Sequence, residues 1–131
     1  MTKLIHNSGK RKTAIARATL KQGIGKVRIN GILLDTYQPE MARLKIQEPL
    51  ILAGETSDKI DADINVTGGG ISSQTDAARL VLSKCLVDFN KKLEKTFLQY
   101  DRHLLVADIR RKETCKPNDS KARAKRQKSY R

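Results

Sequence analysis

Hydrophobic and polar residues alternate in three stretches of the chain, and each stretch predicts a β-strand. Residues 13–20 carry alanine or leucine at every second position, which is the period of two expected for a half-buried strand. Residues 26–30 and 60–67 alternate in the same way. Turn-forming residues occupy positions 21–25, so we expect the first two strands to form a hairpin that ends near Asn30-Gly31. The alanine-rich face predicts a helix packed closely over it.

Apolar residues at helical spacing predict three helices. The first covers residues 39–47 and is expected to stop before Pro49, because proline lacks the amide that the helix needs. The second is predicted from Ser73 to Phe89, with a serine-x-x-acid start signal and an apolar stripe in which Cys85 is a small core residue. The third covers residues 91–100, with its inward side chains at Leu93, Phe97 and Leu98.

The end of the chain has a different composition. Residues 104–106 are expected to return to the core, and residues 107–111 to add a closing strand. The last 19 residues, 113–131, contain no Val, Ile, Leu, Phe or Met, so they cannot bury enough apolar surface to fold alone. We therefore predict one α+β domain over residues 1–112, followed by an extended basic C-terminal tail over residues 113–131 that becomes ordered against nucleic acid.

Charge is concentrated at the two ends of the chain. The formal net charge is +13 over 131 residues, and the pI is about 10.0. Residues 1–31 carry 8 Lys and Arg and no acid, and residues 110–131 carry 10 Lys and Arg against 2 acids. The middle holds 9 basic and 12 acidic residues. Two basic ends on a small domain indicate a nucleic-acid partner ahead of an anionic membrane surface.

The composition of the chain and the spacing of its residues argue against several other classes of protein. No stretch approaches the ~18 consecutive apolar residues of a membrane span, so we expect no membrane association. Cys85 and Cys115 form no CxxC pair and lie far in sequence from His6 and His103, so the spacing of a zinc site is missing. Unpaired cysteines of this kind are typical of a reducing compartment. Without a Ser–His–Asp pattern either, we predict a non-enzymatic protein with no metal, cofactor or small-molecule substrate.

Three glycines, Gly68 to Gly70, join the strand predicted at residues 60–67 to the second predicted helix. Glycine permits positive φ and a close approach of the backbone to a partner, and the amides at a helix start favour a phosphate. A nucleotide-binding loop would need a following Lys-Ser or Lys-Thr pair, which is absent here. A contact with a nucleic-acid backbone needs only the amides and hydroxyls. A nucleotide-binding enzyme and a simple strand-to-helix turn stay open as alternatives.

The composition also narrows the kind of nucleic acid. Aromatic residues make up only 4% of the chain and Trp is absent, which argues against a stacking platform for single strands. No zinc finger, basic zipper or recognition helix is evident, so sequence-specific DNA reading is disfavoured. Binding through phosphates and shape remains, and two basic ends suit a compact folded RNA. A histone-like protein that compacts DNA is the further alternative.

Three motifs resemble the universal ribosomal protein S-nine family of the small subunit. The opening motif is Ser8-Gly9-Lys10-Arg11-Lys12-Thr13-Ala14-Ile15-Ala16-Arg17, and the most specific is Gly68-Gly69-Gly70-Ile71-Ser72-Ser73-Gln74. The third is the tail, with Lys121-Ala122-Arg123 and the terminal Arg131. The resemblance covers the chain from Ser8 to Arg131.

The resemblance implies a two-layer α/β sandwich with a left-handed βαβ crossover. It also implies a structural role in the head of the small ribosomal subunit, with the small-subunit rRNA and neighbouring head proteins as partners. The family's tail reaches the anticodon stem-loop of the tRNA in the peptidyl site. By this resemblance the tRNA contacts fall on Lys128, Ser129, Tyr130 and Arg131.

The rRNA contacts are predicted at the basic ends and the glycine motif. They are Lys10, Arg11, Lys12, Arg17, Gly68, Gly69, Gly70, Ser72, Gln74, Arg110, Arg111, Lys112, Lys116, Lys121, Arg123 and Lys125.

The tail departs slightly from the family pattern. It ends Lys128-Ser129-Tyr130-Arg131, where the family commonly has an aromatic residue, Ser, Lys and Arg. This exchange and the excess of 16 Lys over 11 Arg suggest an organelle genome. We therefore expect a ribosome of the chloroplast or plastid stroma, with the bacterial cytoplasm as the alternative.

Overall fold

The described part of the chain contains one mixed sheet of five strands, and in its two longest strands, at residues 14–22 and 60–67, buried residues recur at every second position. The computed structural model describes residues 4–118, 121–124 and 130. The sheet order is β1-β2-β5-β3-β4. Strands β3 and β5 are parallel, and the other neighbouring pairs are antiparallel. The strands are β1 (Ile5–Arg11), β2 (Ala14–Gln22), β3 (Val27–Ile29), β4 (Ile32–Leu33) and β5 (Ile60–Thr67).

Three α-helices complete the fold within the described residues, and they confirm the predicted α+β class. These are α1 (Glu40–Ala53), α2 (Ile71–Phe89) and α3 (Leu93–Tyr100). Helix α1 lies in the connection between β3 and β5, so a βαβ unit is present. In the described part of the chain, every helix is too short or too polar to cross a membrane.

Small residues let α2 lie close to the sheet, as the alanine-rich face of β2 predicts. Ala16 on β2 and Ala77 on α2 are both fully buried. A Cβ placed on Gly9 of β1 would lie 3.1 Å from the Ala77 carbonyl oxygen. The opposite face of the sheet is polar and carries exposed residues such as Lys10 and Arg17.

The predicted hairpin is wrong, because β5 lies between β2 and β3. The loop after β2 is tied to β5 and does not close a hairpin. Gly23 donates its amide to the Lys59 carbonyl at 3.0 Å. Asp61 accepts the amides of Ile24 and Lys26 at 2.9 and 3.0 Å, and these two hydrogen bonds lower the pKa of Asp61. A long-range anchor of this kind has no local sequence signal.

Helix α1 is longer than the helix predicted over residues 39–47. Helix α1 continues through Pro49 to Ala53, because Pro49 is buried on the same stripe as Ile46 and Ala53, and this packing outweighs one lost hydrogen bond. It ends at Gly54, which has φ +55 and donates its amide to the Leu50 and Ile51 carbonyls.

Four other details also differ. Helix α2 begins at Ile71 after the cap residue Gly70, two residues before the predicted Ser73. Leu98 is 44% exposed, although Phe97 beside it is fully buried. Residues 107–111 form no strand, because side-chain hydrogen bonds of Asp108 hold this segment. Strand β1, which the sequence analysis missed, forms one edge of the sheet.

Candidate nucleic-acid interface

The fold brings the first two sequence motifs into contact. The turn between β1 and β2 packs directly against the glycine loop. A Cβ on Gly68 would lie 2.6 Å from the Thr13 carbonyl oxygen, and a Cβ on Gly69 would lie 3.0 Å from the Ala14 Cβ. Both glycines have positive φ, +75 and +65, so L side chains are disfavoured there. Gly68 and Gly69 therefore allow the β1–β2 turn of the same chain, rather than an external partner, to pack closely against the loop.

The third glycine faces outward. A Cβ on Gly70 would meet nothing within 4 Å, and both Gly70 and Ser72 are exposed. The first amides of α2, which have no intrahelical partner, lie next to them. Gln74 closes the loop from inside, since its Nε2 donates to the Gly68 carbonyl at 3.0 Å. Gly70 and Ser72 are thus accessible to a phosphate, whereas Gln74 holds the loop in shape.

Exposed cations surround this loop. Lys10, Lys12 and Arg17 are all exposed, and within the described residues none of them forms an ion pair. Lys12 is in the turn itself with φ +54, which directs the chain sharply into β2. Their charges are available to an anionic partner.

Arg11 is placed differently from its two lysine neighbours. Its side chain is only 16% exposed and lies between Asp108 at 3.4 Å and Asp76 at 3.8 Å. It also donates to the Arg110 carbonyl at 3.2 Å. Arg11 therefore fastens the start of the C-terminal segment to β1, with its charge largely neutralised by acids of the same chain.

Asp108 is the centre of this contact. Hydrogen bonds from the Arg110 side chain and backbone, helped by the charge of Arg11, hold the pKa of Asp108 well below its ordinary value. Arg110 nonetheless keeps 79% of its side chain exposed. The same guanidinium can thus pair with Asp108 and still face a solvent-side phosphate.

The other predicted C-terminal cations lie on the surface. Arg111, Lys112, Lys116 and Lys121 are exposed, and Arg123 pairs with Glu113 at 2.5 Å. Tyr130 is 90% exposed. The predicted contacts at Lys125, Lys128, Ser129 and Arg131 lie outside the described residues.

The polar face of the sheet carries Arg17, which the sequence analysis named as an rRNA contact. Arg17 lies opposite Ser8 on β1 and Asn65 on β5, and these residues line a shallow depression of about 540 Å³. The His6 Nδ1 and the Thr19 hydroxyl share a hydrogen bond of 3.0 Å. Residues 5–11 hold a single large apolar residue, Ile5, so the sequence gives no alternation that would have predicted β1.

The two cysteines differ in their surroundings. Cys85 is fully buried, as its helical stripe predicts, and burial raises the pKa of its thiol to about 11. Cys115 is exposed. Among the residues with described positions, no three His, Cys, Asp or Glu side chains are grouped to hold a metal ion.

Comparison with known proteins gives consistent matches over nearly the whole chain. A family model described as "Ribosomal protein S9/S16" matches residues 9–131. The chain is 55% identical over 133 residues to the small ribosomal subunit protein uS9 of Methanococcus maripaludis strain C7, covering 98% of this chain and 99% of the relative. It is 48% identical over 131 residues to the protein of the same name from Pyrobaculum aerophilum, covering 98% and 92%.

These relatives bear on the expected origin. Methanococcus and Pyrobaculum are archaea, and another relative, 46% identical over 131 residues and covering 98% of this chain, is from Methanothrix thermoacetophila. The expectation of a chloroplast or plastid ribosome is therefore unsupported. The expectation rested on the surplus of lysine over arginine and on the exchanged pair of tail residues. Neither feature is specific to one lineage.

Proposed function

This chain belongs to the ribosomal protein S9/S16 family, and from that premise we propose that it binds small-subunit rRNA through the surface formed by the β1–β2 turn and the glycine loop. The protein is a structural component of the small ribosomal subunit and not an enzyme. The observation that carries the proposal is that Lys10, Lys12, Gly70 and Ser72 lie on neighbouring elements and are all exposed. Cations and free amides at one place form a phosphate-binding surface.

The contacts of the predicted residues divide them into two roles. We assign phosphate contacts to the exposed set and an internal positioning role to Arg11, Gly68, Gly69 and Gln74, whose partners are within the chain. The exposed set is Lys10, Lys12, Arg17, Gly70, Ser72, Arg110, Arg111, Lys112, Lys116 and Lys121. Arg123 joins it when rRNA releases it from Glu113, and Lys125 is included as a basic residue of the tail sequence.

We also propose that residues 113–131 act as an arm that reaches the peptidyl-site tRNA. In support, residues 109–118 are all exposed and contain no helix or strand. The anchor of Arg11 and Asp108 fixes where the arm leaves the domain. The contacts of Lys128, Ser129, Tyr130 and Arg131 with the anticodon stem-loop rest on the family resemblance, as does the placement beside neighbouring proteins in the subunit head.

The first test replaces both exposed lysines of the turn. For the double variant Lys10→Gln and Lys12→Gln, we expect weaker rRNA binding and a slope of log affinity against log salt that is shallower by about 1.4 to 1.8, because two phosphate contacts are lost. Filter binding of the full chain to small-subunit rRNA across a salt series measures both quantities.

The matched control removes two lysines at the far end of α2, the helix that begins at the glycine loop. Lys91 and Lys92 are exposed just after α2, and its 19 residues separate them from the glycine loop by roughly 28 Å. The double variant Lys91→Gln and Lys92→Gln should keep the wild-type slope. Equal slopes for the two double variants would contradict an interface at the turn.

The second test removes the tail end. Deletion of Ser129 to Arg131 should leave subunit assembly intact and weaken tRNA binding in the peptidyl site about tenfold, because charge-assisted hydrogen bonds to phosphate are lost. Assembly is measured by sedimentation and tRNA affinity by filter binding to the isolated subunits. Cys115→Ser, an uncharged change within the arm, serves as the control and should alter neither quantity. Unchanged tRNA affinity after the deletion would remove the tail from the peptidyl site.

A further inference from the structure

A groove lies between α1 and the short strands at the other edge of the sheet. Its volume is about 600 Å³, and its apolar lining includes Leu33, Leu50 and Ile51. Ile51 is 75% exposed and Leu33 is 43% exposed. The groove thus combines exposed aliphatic side chains with polar and charged ones.

The fold produces this exposure directly. Helix α1 buries Ile46, Pro49 and Ala53 against the core, so Ile51 falls on its outer side. Strand β4 has only two residues and forms the sheet edge, so nothing in the described structure covers Leu33. Contiguous exposed aliphatic side chains at an open edge are typical of an interaction surface.

The charge at the rim distinguishes this groove from the rRNA-binding surface. Asp35 and Asp58 line it and are exposed, and neither forms an ion pair within the described residues, whereas Asp76 and Asp108 near the glycine loop are both paired with arginine. Lys26 is the cation among the lining residues. Two carboxylates against one lysine leave the rim with one net negative charge, which repels phosphate and attracts a cationic side chain.

We infer that this groove binds a segment of a neighbouring small-subunit protein that carries Lys or Arg beside aliphatic side chains. The aliphatic residues of the segment contact Ile51 and Leu33, and its cations pair with Asp35 and Asp58. This inference rests on the proposed placement of the chain in the small subunit. It assigns the groove to a protein partner and the opposite, basic surface to rRNA.

The test places a photo-activated cross-linking amino acid at position 51 in the full chain, which is then incorporated into small subunits. We expect the cross-link to join a different protein, through a peptide that contains Lys or Arg and Leu, Ile or Val. A cross-link to rRNA, to an acidic peptide or to a second copy of this chain would overturn the inference, as would the absence of any cross-link.

A matched position separates this inference from the proposed function. Ile109 is 88% exposed and lies beside Arg110, so the same cross-linking residue at position 109 should join rRNA. If the chain fails to enter subunits, or if position 109 does not join rRNA, the proposed function fails. If position 109 joins rRNA and position 51 joins no protein, only the groove assignment fails.

Charge reversal tests the rim itself. Asp35→Lys with Asp58→Lys should reduce the protein cross-link from position 51 about tenfold, because like charges then face each other, while the affinity for rRNA is retained or increased. Both carboxylates are exposed, and a thermal unfolding curve verifies that the variant folds. An unchanged yield of the protein cross-link would refute the role of the two carboxylates.

Discussion

Replacement of Gly68 by alanine is expected to lower the free energy of unfolding by roughly 3 kcal/mol. Two physical effects add at this position. The backbone has φ +75, which is costly for any residue with a side chain. The new Cβ would also lie 2.6 Å from the Thr13 carbonyl oxygen, so the β1–β2 turn must move away. Urea unfolding of the full chain measures the change.

The third glycine of the loop offers a matched control. Gly70 has φ −105 and precedes the first residue of α2, and a Cβ there meets nothing within 4 Å. Gly70→Ser should therefore leave the free energy of unfolding unchanged or slightly higher, because serine is a favourable N-cap residue. A similar loss of stability in both variants would contradict the packing account of the loop.

The same pair of variants separates folding from binding. In Gly68→Ala the displaced turn carries Lys12 away from Gly70 and Ser72, so rRNA affinity should fall together with stability. In Gly70→Ser the fold is intact, so a change of rRNA affinity in that variant would reflect a phosphate close to the new side chain.

Much of the fold follows from periodicity, and the exceptions have a common cause. The strand at residues 60–67 and the helix stripe that includes Cys85 were both predictable, because the pattern of burial is local. The hairpin failed because β5, which follows more than 30 residues later, supplies a hydrogen-bond partner for the loop, the Ile60 carbonyl that accepts from the Gly25 amide. A long-range partner overrides the local signal for a turn.

The site was predictable in composition but not in the roles of its members. Sequence alone identified Lys10, Arg11 and Lys12 as three equal cations. The structure gives Arg11 two acidic partners, Asp76 and Asp108, from distant parts of the chain, and leaves its two neighbours exposed. Likewise Gly68 and Gly70 belong to one uniform glycine run, yet the chain's own backbone constrains Gly68 and leaves Gly70 open. Such differences arise from tertiary contacts.

Arg79→Leu should lower the free energy of unfolding by about 2 kcal/mol. The Arg79 side chain is 14% exposed and forms ion pairs with Glu48 of α1 and with Asp101, at 3.0 Å. It thereby joins α1, α2 and the segment after α3. Removing the guanidinium leaves the Glu48 and Asp101 carboxylates without their cation, which would be costly for fully buried groups. Both carboxylate side chains are about one-third exposed, so solvent reduces this cost.

A surface ion pair on α1 provides the comparison for this change. Arg43 contacts Glu40 at 3.5 Å, the Glu40 side chain is 70% exposed, and Arg43 also donates to the Asp35 carbonyl at 3.0 Å, so Arg43→Leu should cost about 1 kcal/mol. Equal costs for the two variants would contradict a special role of Arg79.

The dependence on pH supplies a further readout for Arg79. Burial raises the pKa of Asp101, but hydrogen bonds from the His103 amide and Arg79, together with the charge of Arg79, lower it further than burial raises it, so the pKa lies below its ordinary value. A depressed carboxyl pKa stabilises the fold above the unfolded-state pKa, and this stabilisation is lost as the pH falls through the folded-state pKa. The difference in stability between wild type and Arg79→Leu should therefore begin to narrow below about pH 4, the ordinary pKa of an aspartate, and should narrow further as the pH falls through the lowered pKa of Asp101. A difference that stays constant down to pH 2 would show that Arg79 acts through packing and not through its carboxylate partners.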